Sequence, residues 1–303
     1  MRREFLSRRR LLKASILAAA GAAAQTQGKA TEFQIACMTL PYAAFPLERA
    51  LKGIAGAGYR YVAWGATHKE SDGQTRQALA VDDPPSAAKE LGSRSRDLGL
   101  EPVMMFSLVN VEAPDSIKSH TRRIEQAAAA GVPFVLTFGH TRIASYETWI
   151  RNLKELGPIA RNAGVTIVIK QHGGNSATGK LCAQILREVF DEGIQMCYDA
   201  GNNLGYVGDD PIADIRHCWQ YVRAFAIKDV RLTPKRDACG PGLGEIDHYK
   251  LLLPVARTGL KIPLCCETLW APLLPRPEQP EGVDALAKRA REFLEVVTVG
   301  VTA

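Results

Sequence analysis

Six times along this chain a helix-like segment stops at a glycine and an apolar strand pattern follows. The stops are Ala57-Gly58-Tyr59, Leu98-Gly99-Leu100, Ala130-Gly131-Val132, Ala163-Gly164-Val165, Glu192-Gly193-Ile194 and Thr258-Gly259-Leu260. They lie 41, 32, 33, 29 and 66 residues apart, and the last interval is two units of 33 with one unmarked member. Glycine suits the place because a helix commonly ends in a left-handed residue, where a side chain clashes. Adding the opening strand and the unmarked one to this repeat predicts eight strands with helices between them. That is the count of an α/β fold of one kind, the (β/α)8 TIM barrel, which carries its chemistry on one rim.

Ahead of the first unit, Ser7-Arg8-Arg9-Arg10-Leu11-Leu12-Lys13 precedes an alanine-rich apolar run from Ala14 to Ala24. Residues 1–24 resemble a twin-arginine export signal, with Leu11 where phenylalanine is more usual. As a membrane anchor the run is too short, since a spanning helix needs about 20 apolar residues. The expectation is export to the periplasm or beyond, no stable membrane anchor after signal removal, and one barrel domain over residues 25–303. Arg2, Arg3, Arg8, Arg9, Arg10 and Lys13 against Glu4 give the signal +5 of the chain's net +6. What remains is close to neutral, so no basic stripe attracts a nucleic-acid backbone. The seven cysteines are an odd number. Cys37, Cys197, Cys265 and Cys266 fall in apolar strand patterns and read as buried small hydrophobes, with adjacent Cys265 and Cys266 on opposite strand faces.

The strand patterns run over Gln34–Leu40, Tyr61–Trp64, Pro102–Phe106, Phe134–Phe138, Thr166–Lys170, Gln195–Tyr198, Ala224–Ile227 and Pro263–Cys266. Each is a short apolar run bounded by turn residues, as strands buried on both faces read. Helical patterns fill the intervals, among them Pro211–Tyr221, Tyr249–Arg257 and Val283–Val296, with Asp115, Asp210 and Asp247 at or near helix starts. Polar groups collect where the strands end: His68 after the second, Ser107 and Asn110 after the third, His140 after the fourth. Lys170, His172 and Asn175 follow the fifth, Asp199 and Asn202 the sixth, Lys228 and Asp229 the seventh, and Glu267 the eighth. In a barrel these ends converge on one mouth, and that convergence points to an enzyme.

Lys170 and His172 share a face by the two-residue strand period. A lysine closing an apolar strand is costly to bury unless paired, which makes Lys170 a candidate cation or base and His172 a candidate ligand or proton-transfer group. Asp199 reads either as a loop cap or as a contact to ligand. Lys228 reads as half of an ion pair with Asp229 or as a holder of an oxyanion or hydroxyl. Asp199 and Glu267 offer hard oxygen ligands and His172 or His140 a nitrogen, a set that suits Mn²⁺, Mg²⁺ or Zn²⁺. Gly240-Pro241-Gly242-Leu243-Gly244-Glu245 lies in a long loop and is no dinucleotide fingerprint; it reads as a mobile rim or as a plain connector. His120, His217 and His248 read as structural or solvated.

From about Phe33 to Val297 the chain resembles the sugar phosphate isomerase/epimerase superfamily, the xylose isomerase-like barrels. The resemblance is carried by Phe45 to Leu51, Lys170 to Gly179, Tyr198-Asp199-Ala200-Gly201-Asn202, Ile227-Lys228-Asp229, Gly242 to Asp247 and Glu267. Many members hold a divalent metal with a glutamate after strand five, an aspartate after six, a histidine after seven and a glutamate after eight. Asp199 and Glu267 fit that pattern; Lys170 takes the place of the first glutamate and Ala226 that of the histidine. The resemblance implies an exported isomerase, epimerase or lyase acting beside the carbonyl of a sugar or keto-sugar with the assistance of a divalent metal. Lys170, Glu267, Lys228 and His140 are then the catalytic candidates; His172, Asp199 and Glu267 the metal ligands; His68, Asn175, Asn202 and Asp229 the substrate contacts. The expected partner is a small carbohydrate, with a homo-oligomer left open. The alternative is a non-catalytic carbohydrate-binding barrel with a degenerate metal site. A phosphodiesterase like the superfamily's endonuclease-IV relatives needs more histidines and carboxylates than this chain places at its strand ends.

Overall fold

Each repeat unit contributes one strand to a closed cylinder. The computed structural model describes residues 28–139 and 145–303; the expected export signal and His140 lie outside the described residues. The barrel strands are β1 Glu32–Met38, β2 Tyr61–Trp64, β3 Glu101–Phe106, β4 Phe134–Thr137, β5 Thr166–Lys170, β6 Ile194–Tyr198, β7 Val222–Ile227 and β8 Lys261–Cys266. All pair in parallel with their sequence neighbours, and β8 closes on β1 from Glu32 opposite Lys261 to Cys37 opposite Cys266. The longer α-helical segments that follow them, among the described residues, are α1 Leu47–Gly56, α2 Pro85–Asp97, α3 Ser116–Ala130, α4 Tyr146–Asn162, α5 Gly179–Val189, α6 Pro211–Asp214, α7 His248–Leu252 and α8 Pro280–Thr302.

Side-chain alternation divides the apolar residues between two cores. Ala36, Met38, Ala63, Met104, Phe106, Leu136, Val168, Cys197, Ala224, Ala226 and Cys265 fill the lumen, while Val62, Trp64, Val135, Ile167, Ile169, Phe225, Leu264 and Cys266 pack outward with the helices. Cys265 and Cys266 thus face opposite ways, and all seven cysteines are buried and free. Among the described residues no helix is long and apolar enough to cross a membrane.

Five of the six glycine stops have φ between 69° and 87°. Gly193 does not, and its reason differs. The left-handed residue ending α5 is Phe190, φ 52°, and a Cβ on Gly193 would lie 2.1 Å from the carbonyl oxygen of Gly157. Close approach of two backbones, rather than a turn, demands glycine there.

The segment expected as one helix over 211–221 is broken. Four α-helical residues are followed by 3-10 turns at Ile215–His217 and Trp219–Tyr221, a change that apolar spacing does not reveal because both helix types return to the same face after about three residues. The expected helix at 249–257 stops at Leu252, and Pro254, which lacks an N–H, sits in the 3-10 turn beyond it. Asp210 and Asp247 cap their helices, whereas Asp115 makes no cap and accepts instead from the Ser119 hydroxyl at 2.7 Å. Two short ribbons at the strand ends, Thr67–Lys69 with Thr75–Gln77 and Asp229–Arg231 with Asp237–Cys239, were not visible in the apolar pattern because they carry little of it.

Candidate active site

The direction in which each strand faces decides which charged residues meet. Val168, Cys197, Ala226 and Cys265 point into the lumen; two positions further on stand Lys170, Asp199, Lys228 and Glu267. The two-residue period therefore brings all four side chains to the C-terminal mouth of the barrel. There they form a closed ring of alternating charge. Lys170 Nζ lies 2.6 Å from Glu267 Oε2 and 3.2 Å from Asp199 Oδ2; Lys228 Nζ lies 3.3 Å from Glu267 Oε1 and 3.1 Å from the same Asp199 oxygen. Side-chain exposure is 3% and 0% for Lys170 and Asp199, 9% and 12% for Lys228 and Glu267. Charges so buried persist only when paired, and two ammoniums with two carboxylates leave the ring neutral.

Burial pushes the Lys170 ammonium toward neutrality, but Glu267 and Asp199 outweigh it and hold the amine above its ordinary range. Burial likewise pushes the Glu267 carboxyl up; Lys170 and Lys228 outweigh that and hold it at about 2. At neutral pH Lys170 is a cation and Glu267 an anion. Of the two residues expected as base, Glu267 is the one with a lone pair in this charge state; Lys170 has none while the ring is closed.

A second layer holds the ring in place. The Asp199 backbone N–H donates to Gln171 Oε1 at 2.7 Å, Asp199 Oδ1 accepts from the Asn202 N–H at 2.8 Å, and Asn202 Nδ2 donates to the Gln171 carbonyl at 2.6 Å. Asn202 is thereby a brace between the ends of β5 and β6. Behind it, buried Asp214 of α6 accepts from the Tyr198 hydroxyl at 2.9 Å, the Gly179 N–H at 2.7 Å and Asn203 Nδ2 at 3.1 Å. Strand-end reading missed Asp214; an acid facing inward in an otherwise apolar helix turn was its only signal. Gly201 clears the path of Lys228, whose Cγ would lie 2.4 Å from a Cβ there.

His172 stacks on Phe138 with ring centroids 4.4 Å apart, and Tyr206 meets it edge-on at 5.7 Å. Burial, then the charges of Lys170 and Lys228, lower its pKa, so the ring is neutral. Its Nδ1 is buried and, among the described residues, has no hydrogen-bond partner. Tyr206 is 56% exposed on a π-helical turn, Asn203–Val207. Asn175 lies partly exposed in the turn after β5, Gly174–Ser176.

Two expected substrate contacts have other work. His68 is fully buried, with Nδ1 3.1 Å from the Phe45 carbonyl and Nε2 2.9 Å from the Thr39 hydroxyl; it ties the Thr67–Lys69 ribbon strand to the loop after β1 and has no nitrogen left for a sugar. Asp229, also fully buried, accepts backbone N–H groups from Val230, Gly242, Gly244 and Ile246 at 2.8 to 3.1 Å. Gly244 allows this approach, since a Cβ there would lie 2.3 Å from the carboxylate. The glycine-rich stretch is accordingly a connector stapled down by Asp229.

A divalent ion does not fit these residues. Among the described residues no three His, Cys, Asp or Glu side chains come together to hold one, so the expected trio of His172, Asp199 and Glu267 is corrected. The ammoniums of Lys170 and Lys228 already stand between the carboxylates of Asp199 and Glu267.

A parallel eight-stranded barrel with its buried polar cluster at the C-terminal strand ends defines a TIM-barrel protein of the mouth-site type. Residues 51–294 match the sequence profile of the xylose isomerase-like TIM barrel family, and the chain belongs to that family. No curated protein sequence matches it significantly. Among solved structures it is similar to an L-ribulose 3-epimerase at 17% identity and TM-score 0.66, over 88% of this chain and 95% of that one. It is similar to a xylose isomerase-like TIM barrel protein from Mycobacterium smegmatis in complex with magnesium at 15% identity and TM-score 0.68, over 92% and 99%. A fusion of a xylose isomerase-like TIM barrel with 4-hydroxyphenylpyruvate dioxygenase is similar at 18% identity and TM-score 0.62, over 88% of this chain; the match spans only 44% of the fusion. At these identities the likeness is one of fold.

Proposed function

We propose that the protein is an exported carbohydrate-active isomerase, epimerase or lyase that removes a proton from a carbon next to the carbonyl of a sugar or keto-sugar. One observation carries the reading: the buried neutral ring of Lys170, Asp199, Lys228 and Glu267 at the mouth of a barrel of this family. Glu267 is the proton acceptor and, at 12%, the most accessible of the four side chains. With both ammoniums against it the carboxylate is a weak base, held at about 2. A substrate oxygen that draws those ammoniums toward itself loosens the hold and raises the basicity, so the base strengthens when substrate is present.

In the step itself the C–H bond breaks and its proton passes to Glu267. The electron pair forms the carbon–carbon double bond of an enediol-type intermediate, and the carbonyl π pair moves to oxygen. Return of the proton to the former carbonyl carbon, with the neighbouring hydroxyl proton passing to the other oxygen, isomerises; return to the opposite face of the same carbon epimerises; and expulsion of a β-substituent with its bonding pair makes the reaction a lyase step. Neutral His172, with Nδ1 unpartnered among the described residues, is the second proton-handling group. Exposed Tyr206 offers an aromatic ring on which the C–H face of a sugar can stack, at a cavity of about 610 Å³ lined by Gly173, Gly174, Ala177, Tyr206 and Val207. The near-neutral charge of the chain beyond residue 24 suits an unphosphorylated sugar, as does an exported location.

Solvent-deuterium uptake into a panel of ketoses and keto-glycosides tests the reading, with exchange at a single carbon expected. Sugar binding with no exchange into any compound would instead support a carbohydrate-binding barrel without catalysis.

A further inference from the structure

Resting on that carbon-acid reading, we infer that Lys170 and Lys228 act together as a tethered dication, replacing the divalent ion as the electrophile that holds the substrate's carbonyl oxygen and its neighbouring hydroxyl.

The placement is that of a bridging cation. Both ammoniums converge on one oxygen, Asp199 Oδ2, and each takes a different oxygen of Glu267. Each ammonium has three N–H donors. Lys170 directs one to Glu267 Oε2 and Lys228 one to Glu267 Oε1; neither makes a directional hydrogen bond to Asp199 Oδ2, which lacks such a partner among the described residues. The contact with Asp199 is one of charge alone, and N–H donors remain for two substrate oxygens. The surroundings are built for the pair: Gly201 opens the channel for the Lys228 stem, and Ala226 leaves the lumen below it apolar.

Charge balance selects the substrate class. The ring is neutral, so it admits a neutral α-hydroxycarbonyl without stranding a charge. When Glu267 takes the proton it becomes neutral and the substrate oxygen acquires the negative charge, so the anion moves from one partner of the ammoniums to another. Positive charge fixed beforehand beside the developing oxyanion is stabilising because it needs no reorganisation. A ketose or oxidised sugar carrying vicinal oxygens fits this exchange; a phosphorylated sugar adds charge that the ring does not offset.

The test titrates the full-length protein, purified without chelator, with Mn²⁺ and follows the paramagnetic resonance signal of the free ion. The wild-type chain is expected to leave the signal undiminished, and Lys170→Glu/Ala226→His, which rebuilds the carboxylate and imidazole positions, to remove one equivalent per chain. Stoichiometric Mn²⁺ uptake by the wild type overturns the inference. So does deuterium exchange that is abolished by EDTA and restored by Mn²⁺, although the carbon-acid reading then survives. No exchange into any sugar sinks that reading, while an inert wild type beside an ion-binding variant still supports the replacement. Should the double variant fail to fold, Lys228→Gln decides: it keeps a donor and loses the charge, and exchange is expected to fall about 100-fold or more. Exchange at the wild-type rate in that variant overturns the inference.

Discussion

Lys170 Nζ and Glu267 Oε2 lie 2.6 Å apart although 97 residues separate them in the chain. The contact joins the fifth barrel strand to the residue just past the eighth, across the lumen rather than along a ladder, and it sets the charge state of the proposed base. Removing either partner therefore tests chemistry and stability separately.

Glu267→Gln keeps the shape of the side chain and removes the proton acceptor. Deuterium exchange is expected to fall by about 10² to 10⁴, with sugar binding by calorimetry retained. An exchange rate equal to wild type would remove Glu267 from the proposed step.

Lys170→Met leaves a buried excess of negative charge in the ring, and breaking a buried pair in this way costs about 3–5 kcal/mol. Lys170→Met/Glu267→Leu removes both partners and is expected to recover most of that loss, because each desolvation cost disappears with its charge. Denaturant titrations of the two single variants and the double measure the coupling. Simple additivity would mean that the two groups do not interact.

Gly193 and Gly164 both precede strands but for different reasons. Gly164→Ala meets no atom within 4 Å and suffers only the strain of φ 69°, about 1 kcal/mol. Gly193→Ala drives a Cβ to 2.1 Å from the Gly157 carbonyl oxygen, so two backbones must part, and a loss of about 3 kcal/mol is expected. Thermal unfolding of the pair should rank Gly193→Ala as the less stable.

His120 makes the fold acid-sensitive. Its Nδ1 lies 2.8 Å from the Ser116 carbonyl and its Nε2 2.9 Å from the Thr137 hydroxyl, and burial pushes its pKa down from 6.5 to about 4. Between those values the unfolded chain binds a proton that the folded chain does not. Stability is therefore complete above pH 6.5 and declines as pH falls toward 4, by on the order of 3 kcal/mol from this residue. Denaturant midpoints across that range should show the decline, and His120→Gln should flatten it.

The barrel was legible because its signals are local. A strand announces itself by an apolar run, a helix by its period, and a stop by a glycine whose φ no other residue adopts easily, so Gly58, Gly99, Gly131, Gly164 and Gly259 marked real boundaries. Gly193 marked one too, for a reason invisible in sequence, because it depends on how closely another helix approaches.

The barrel reading also placed Lys170, Asp199, Lys228 and Glu267 at one mouth, because the C-terminal ends of all eight strands converge there. Tertiary structure decided what each of them does there. His68 and Asp229 stand at strand ends like the others, yet loop backbones fold onto them and consume their hydrogen-bonding capacity. Lys228, read as an ion-pair partner of adjacent Asp229 or as a holder of a substrate oxygen, pairs with Asp199 and Glu267 and closes a ring with Lys170, its two acids drawn from strands far away in the chain. Periodicity fixes the face on which a side chain lies; its partner depends on loops, stems and clearances such as that at Gly201, which exist only once the cylinder has closed.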